Sequence, residues 1–359
     1  MIKRQNCLPP EAKGLYSRQR KSTMIGMILV ASMIVLIATS ANMGNARIGV
    51  IDVVKIIIGK IISAEQLYAH LSKGIVAIVW DIRLPRILCG VFVGAGLCVA
   101  GAVFQSLLLN PLADPYTLGI STGAALGASI SIYVTGILAI ASLPVLPMAF
   151  LGAVLTLFLV MSIANKSRGL SSANLIIAGI IVSSIMSAGI SFIKNAAGDD
   201  VGAIIFWLLG SLASRTWTHV LILFACVSVC VLICFKYANE LNILCMGEES
   251  AKGLGVNVKK VRMMLLIAAS LLTAACVAVS GIIGFIGLVI PHMIRFSVSS
   301  NNRNLLPLSA LLGSVILLLA DTACRTLFSS EIPVGVLTTL IGGPFFVYLF
   351  IKKSNKGGV

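Results

Sequence analysis

Residues able to do chemistry are few and scattered in this sequence. The 359-residue chain holds 3 histidines, 12 carboxylates and 9 cysteines. A metal centre needs donors at ligand spacing. Cys226, Cys230 and Cys234 recur every fourth residue on one helix face, but no His or carboxylate joins them. They read as small buried hydrophobes. His292 follows Pro291 in an apolar run, where a hydrogen-bonded structural role is simpler than a metal or haem ligand. His70 and His219 belong to no constellation. The sequence therefore offers no catalytic set and no metal site. It also lacks a G-x-x-x-x-G-K-[ST] phosphate loop, so any ATP chemistry has to lie on another chain.

Charge and glycine carry more pattern. In the segment 236–262, short helices are expected over 240–246 and 248–254, broken by Gly247 and ended by Gly255. Glu248 and Glu249 suit the N-terminus of the second through the helix dipole. Such a pair could be a lever gripped by a soluble partner, or an ordinary solvated loop. Arg83 and Arg86 flank Pro85, which suits a first helical turn, so a helix start is expected there. Arg325 lies four residues after Asp321. These arginines could snorkel to lipid phosphates or pair locally, Arg325 with Asp321 and Arg83 with Asp81, or they could grip carboxylates of a partner. Gly119, Gly123 and Gly127 form a stripe that lets helix backbones approach closely, within one subunit or between two. Gln105 is polar in an apolar helix and either bonds a neighbouring helix or faces a pathway.

The elements that must position these residues are set by hydropathy. The chain is 58% hydrophobic and 11% charged, with a mean hydropathy of +1.05. A soluble domain cannot hide that much apolar surface, so the solvent is a bilayer. Ten runs approach spanning length: 24–43, 87–109, 116–137, 145–163, 175–193, 220–235, 263–279, 282–296, 305–320 and 334–351. The stretch 201–212 is too short and reads as a re-entrant or interfacial helix. The basic segment before the first run resembles a signal peptide, but the run is too long for one, so a retained first span is expected. Lys and Arg are twice as numerous on the segments that become internal when both ends are cytoplasmic. The exception is the first outer segment, which holds Arg47, Arg83 and Arg86. All carboxylates fall in loops or at span ends, which disfavours an ion-coupled secondary transporter. A membrane-embedded enzyme would need a cluster of His and acids that is missing.

Particular motifs carry a resemblance. Arg83-Leu84-Pro85-Arg86, then Gly94, Gly101, Gln105 and Asn110-Pro111-Leu112-Ala113-Asp114-Pro115, resemble the FecCD-like permeases of iron-siderophore, haem and cobalamin importers. Gly247-Glu248-Glu249 with Ala251 and Leu254-Gly255 looks like that family's ATPase-contacting loop. Gly284-Phe285-Ile286-Gly287-Leu288-Val289-Ile290-Pro291-His292 with Arg295 is a specific match, as are Asp321 with Arg325 and Glu331-Ile332-Pro333. One departure is Ile282-Ile283, where the family often has proline. The resemblance implies an all-α polytopic bundle of about ten transmembrane helices with cytoplasmic coupling helices. It divides the chain into a basic cytoplasmic tail over 1–23, a permease domain over 24–351 with its coupling loop at 236–262, and a cytoplasmic tail over 352–359. It implies a permease dimer, homomeric or with a close paralogue, two cytoplasmic ATPase subunits holding ATP and Mg, and an extracytoplasmic binding protein, in a bacterial inner membrane. No cofactor is expected on this chain and no nucleic acid. The cargo implied first is a ferric siderophore, then haem or cobalamin. Gly247, Glu248, Glu249, Ala251, Leu254 and Gly255 are then the ATPase-coupling residues. Arg83, Arg86 and Arg325 are the expected docking set for the binding protein.

Overall fold

A computed structural model describes residues 10–44, 48–167, 170–327 and 331–356. Arg47, Cys7, and the ends of both tails lie outside the described residues. Among those described, every regular element is helical. In chain order they are α1 Pro10–Asn42, α2 Val50–Ile61, α3 Lys73–Ala77, α4 Leu84–Leu107, α5 Ile120–Ile132, α6 Val145–Lys166, α7 Ser172–Ala197 and α8 Gly202–Leu208. There follow α9 Trp217–Lys236, α10 Ala238–Leu244, α11 Glu248–Gly253, α12 Val258–Ser280, α13 Ile286–Ser297, α14 Asn302–Thr326 and α15 Val334–Lys356.

Backbone groups in hydrocarbon must bond within their own segment, which is why an apolar chain of this length becomes a helical bundle. Seven helices are long and apolar enough to cross a membrane: Gln19–Asn42, Lys73–Leu107, Val145–Lys166, Ser172–Leu208, Trp217–Lys236, Val258–Ser280 and Asn302–Thr326. The other three expected spans fall on the shorter apolar helices Ile120–Gly136, Ile286–Ser297 and Val334–Tyr348. Burial sorts the bundle. The most apolar windows of Lys73–Leu107 and Val258–Ser280 are each 78% buried, against 11% for Gln19–Asn42. Thus α4 and α12 form the axis, and α1 lies on the rim against α14 with its apolar side chains facing outward.

Three helix starts differ from expectation. Pro85 stands in the first turn of α4, but helical backbone already runs into it from Lys73. A π-helical turn over Ile78–Arg83 precedes the proline and absorbs its missing N–H and its ring clash. The third apolar run becomes helical only at Ile120, because 108–119 is a turn. There the Asp114 carboxylate accepts from Tyr116 N and Thr117 Oγ1, each at 2.9 Å. Gly119 ends that turn at φ +75°, a conformation open to glycine. The eighth run begins at Ile286 rather than 282. Residues 281–285 are irregular, with Gly281 and Ile283 buried and the others half-buried, and are pinned by the Tyr116 hydroxyl, which donates to Ile283 O and accepts from Ile283 N. Non-helical backbone at this depth persists where protein supplies its hydrogen bonds.

The segment between the first two spans also holds a helix that hydropathy did not single out. In α2, Val53, Ile56 and Gly59 are buried while Ile51, Ile58 and Ile61 are exposed. That two-sided pattern suits a helix lying at the membrane surface.

Candidate functional site

The bundle presents two polar ends. At one, Asn301 accepts from Asn242 of α10, and Arg295 donates to Ser106 of α4. At the other, the C-terminus of α1 meets Arg83, Arg86 and Arg325.

The first end is built on α10 and α11, close to the expected pair. Gly247 joins them at φ +107° and Gly255 ends the second at φ +80°. Both turns therefore demand glycine. The pair is anchored rather than floating. Ala251 is 0% exposed. The Asn242 carboxamide oxygen accepts from Asn302 N at 2.8 Å and Asn302 Nδ2 at 2.9 Å. Asn302 in turn accepts from Ser106 Oγ at 2.9 Å, and Arg295 donates to that hydroxyl at 3.0 Å. This chain of bonds ties α10 to α4, α13 and α14. On the other flank, the Glu248 carboxylate pairs with Lys252 at 3.2 Å and Arg262 at 3.3 Å. The Lys252 hydrogen bond, with help from Arg262, holds its pKa below the ordinary value. Arg262 also donates to Leu170 O at 3.0 Å, bracing the turn between α6 and α7. Two apolar side chains nevertheless stand out from this polar loop: Met246 is 68% exposed and Leu254 62%. Glu249 is exposed beside them. Ser106, Asn242 and Asn302 were not singled out from sequence. The only signal was polar residues at the ends of apolar runs, which is common in loops.

At the second end, Arg83 and Arg86 are buried, Arg325 is half-buried, and all three are engaged. Arg83 donates to Ala41 O at 2.8 Å and Asn42 O at 3.1 Å. Arg325 donates to Ser40 Oγ at 2.6 Å, Ser40 O at 3.3 Å and Met43 O at 3.4 Å. A helix leaves its last four carbonyls without partners, and here two cations serve those of α1. Arg86 grips Asp321 through two nitrogens, at 2.9 and 3.1 Å, and reaches Glu331 at 3.1 Å. Arg325 approaches the same Asp321 at 3.3 Å. Asp321 is 1% exposed, whereas the Glu331 side chain is 55% exposed. Glu331 is thus the outward member of a network that fastens α1, α4 and α14. Beside it, Trp217 donates to Trp80 O at 3.0 Å, and the two rings lie 4.9 Å apart.

Between the ends, the glycine stripe of α5 meets helices of its own chain. A Cβ at Gly123 would overlap Thr156 Oγ1 and one at Gly127 would overlap Met148 O, both on α6. One at Gly119 would sit 2.5 Å from Ser183 Oγ on α7. Gln105 donates to Leu288 O on the neighbouring α13 at 2.9 Å. His292 packs edge-on to Phe346. Among the described residues no three His, Cys, Asp or Glu side chains converge on a metal position.

Known proteins share this arrangement. A profile of the FecCD transport family matches residues 32–352. The hemin transport system permease HmuU of Yersinia pestis is 35% identical over 94% of this chain and 98% of its own. The Fe(3+)-citrate import system permease YfmE of Bacillus subtilis is 36% identical over 94% and 98%. A solved structure described as an inward-facing metal-chelate type ABC transporter superposes with a TM-score of 0.79. It is 32% identical and covers 92% of this chain and 99% of that one.

Proposed function

The chain belongs to the FecCD transport family, and from that premise we propose that it carries a ferric siderophore inward across a bacterial cytoplasmic membrane. As an ABC-importer permease it forms the path and performs no catalysis, since it has no phosphate loop. The observation that carries the reading is the anchored α10–α11 pair with Met246 and Leu254 exposed beyond the bundle. An apolar pair on a polar loop, outside any span, offers a soluble partner a surface to cover. That partner is the ATPase, with Gly247, Glu248, Glu249, Ala251, Leu254 and Gly255 as the coupling element. The full assembly holds a second permease, two ATPases and a binding protein on the opposite face. This reading takes ten spans, from the seven long apolar helices and three shorter ones, and cytoplasmic termini, from the charge bias.

The substrate choice is supported by the iron-citrate and hemin permeases among the relatives. Reconstitution in proteoliposomes with the ATPase and binding protein tests it. Uptake of a radio-labelled ferric siderophore should require ATP. Preferential uptake of hemin or cobalamin would reassign the cargo, and uptake by the permease alone under a proton or sodium gradient would overturn the ATP-driven reading.

Docking of the binding protein by Arg83, Arg86 and Arg325 is proposed with a condition. Arg86 already holds Glu331, so an incoming carboxylate must displace that exposed side chain. The docking face is then an exchange of acids on a fixed cation rather than a bare positive patch.

A further inference from the structure

Beside α11 the bundle opens a cavity of about 490 Å³, a volume that suits a small polar ligand. Its wall carries Lys252, Lys259 and Arg262 against a single carboxylate, Glu248. Glu248 is already occupied by Lys252 and Arg262, which leaves Lys259 uncompensated within the cavity wall. Arg262 Nε is buried with no hydrogen-bond acceptor among the described residues. Ser171 and Asn257 also line the space, and they cap the N-termini of α7 and α12. Two helix dipoles therefore add positive potential to the same spot.

A second cavity of about 500 Å³ continues from the first, sharing Asn165, Leu170 and Lys259 with it. It runs between α6 and α12 past Phe158, Met161, Met263 and Leu271 and is almost wholly apolar. Phe158 is 69% exposed and Met263 36%, so this groove opens on the outer flank of the chain. From Lys259 to Leu271 the helix descends roughly 18 Å at 1.5 Å per residue. That is close to one leaflet of a hydrocarbon core of ~30 Å.

We propose that the pair of cavities holds one anionic phospholipid, its phosphate against Lys252, Lys259 and Arg262 and an acyl chain in the α6–α12 groove. Basic pockets between helices at the cytoplasmic face select anionic headgroups. A free phosphate would leave the groove empty, and a soluble protein could fill only the polar half. The lipid would brace the coupling loop through Lys252 and Arg262, whatever cargo the permease carries. The site rests on loop 236–262 being cytoplasmic, and lipid binding in detergent can be read independently of that orientation and of transport.

The test uses the full chain, purified in detergent and assessed by native mass spectrometry and thermal unfolding. Wild type should retain phosphatidylglycerol or cardiolipin through delipidation and unfold at higher temperature when either is added back. Phosphatidylcholine and inorganic phosphate should do neither. The double variant K252Q/K259Q should hold the anionic lipid about thirtyfold more weakly, and K252R/K259R should restore it. Because K252Q/K259Q could also lower folding, S162W provides a second arm: it keeps every cation and blocks the groove, and should lose the lipid too. Equal retention of phosphatidylcholine, equal stabilisation by phosphate, or undiminished lipid in S162W would overturn the proposal. So would a K252Q/K259Q variant that keeps the anionic lipid as tightly as wild type.

Discussion

Asp321 is the residue on which the arginine-rich end depends. It receives Arg86 at 2.9 Å and Arg325 at 3.3 Å while almost fully buried. Asp321→Asn leaves two buried cations short of a counter-charge, a loss of about 3–5 kcal/mol when one side of a buried pair is removed. Glu331→Gln removes a half-exposed partner, and such pairs contribute about 0–1 kcal/mol. Thermal unfolding in detergent should therefore separate the two variants widely. Glu331→Gln also tests docking: freeing Arg86 from its exposed acid should raise affinity for the binding protein, measured by surface binding at low salt. Unchanged affinity would leave the arginines serving only the fold. Arg83→Glu and Arg86→Glu are poorer probes, because both sites are buried and the substitutions should lower the amount of folded permease. At the other end, Glu248 titrates below its ordinary value of 4.5, first because of its hydrogen bond from Lys252. A carboxylate held low contributes stability that is fully present above its unfolded pKa and is lost as pH falls through the folded value. Hydrogen exchange in residues 248–262 should accelerate below that range, and Glu248→Gln should remove the step.

Among the elements, the α10–α11 pair carries the sharpest expectation. Gly247 at φ +107° cannot accept a branched side chain without strain of about 1–3 kcal/mol. Gly247→Val should leave the permease folded, because no atom within 4 Å of its Cβ position blocks it. It should abolish ATP-driven uptake and weaken co-purification of the ATPase. Unaltered uptake in that variant would remove the coupling role. Gly123→Leu should act oppositely, on the fold: it drives α5 from α6, an overpacking cost of about 1–3 kcal/mol or more, read as a lower unfolding temperature. Sequence made the long helices plain because twenty apolar residues admit few alternatives in lipid. It made the loop helices readable through Gly247 and Gly255. It did not reveal that Pro85 sits inside a continuous helix, since a π-helical turn leaves no mark in hydropathy. Nor did it reveal that Arg83 and Arg325 serve the carbonyls of α1. Those contacts join residues 42 positions apart for Arg83 and 285 apart for Arg325, and charge spacing along the chain carries no record of them. The α2 helix escaped notice because its apolar residues are too few to span.

For the molecule as a whole, the ends differ in how they are held. The loop end is a web of amides and hydroxyls with the Arg295 guanidinium and one carboxylate bridge. The far end is an ionic knot of Arg86, Asp321, Arg325 and Glu331. Apolar packing of α4 and α12 joins them, so a displacement of α10 has a route through Asn242, Asn302 and α14 to Arg325. The knot also dictates an order of manufacture. The ribosome releases α1 before α4 and α14, and it enters the lipid with its last carbonyls unserved. Arg83 arrives soon afterwards, but Arg325 follows only after almost the whole chain has been made. At about 5–20 residues per second, that interval lasts on the order of tens of seconds. Throughout it, the first helix is tethered at the membrane by half of its eventual clasp. A nascent chain stalled before residue 325 would therefore offer a loosely held N-terminal helix to membrane proteases, a built-in mark of unfinished synthesis.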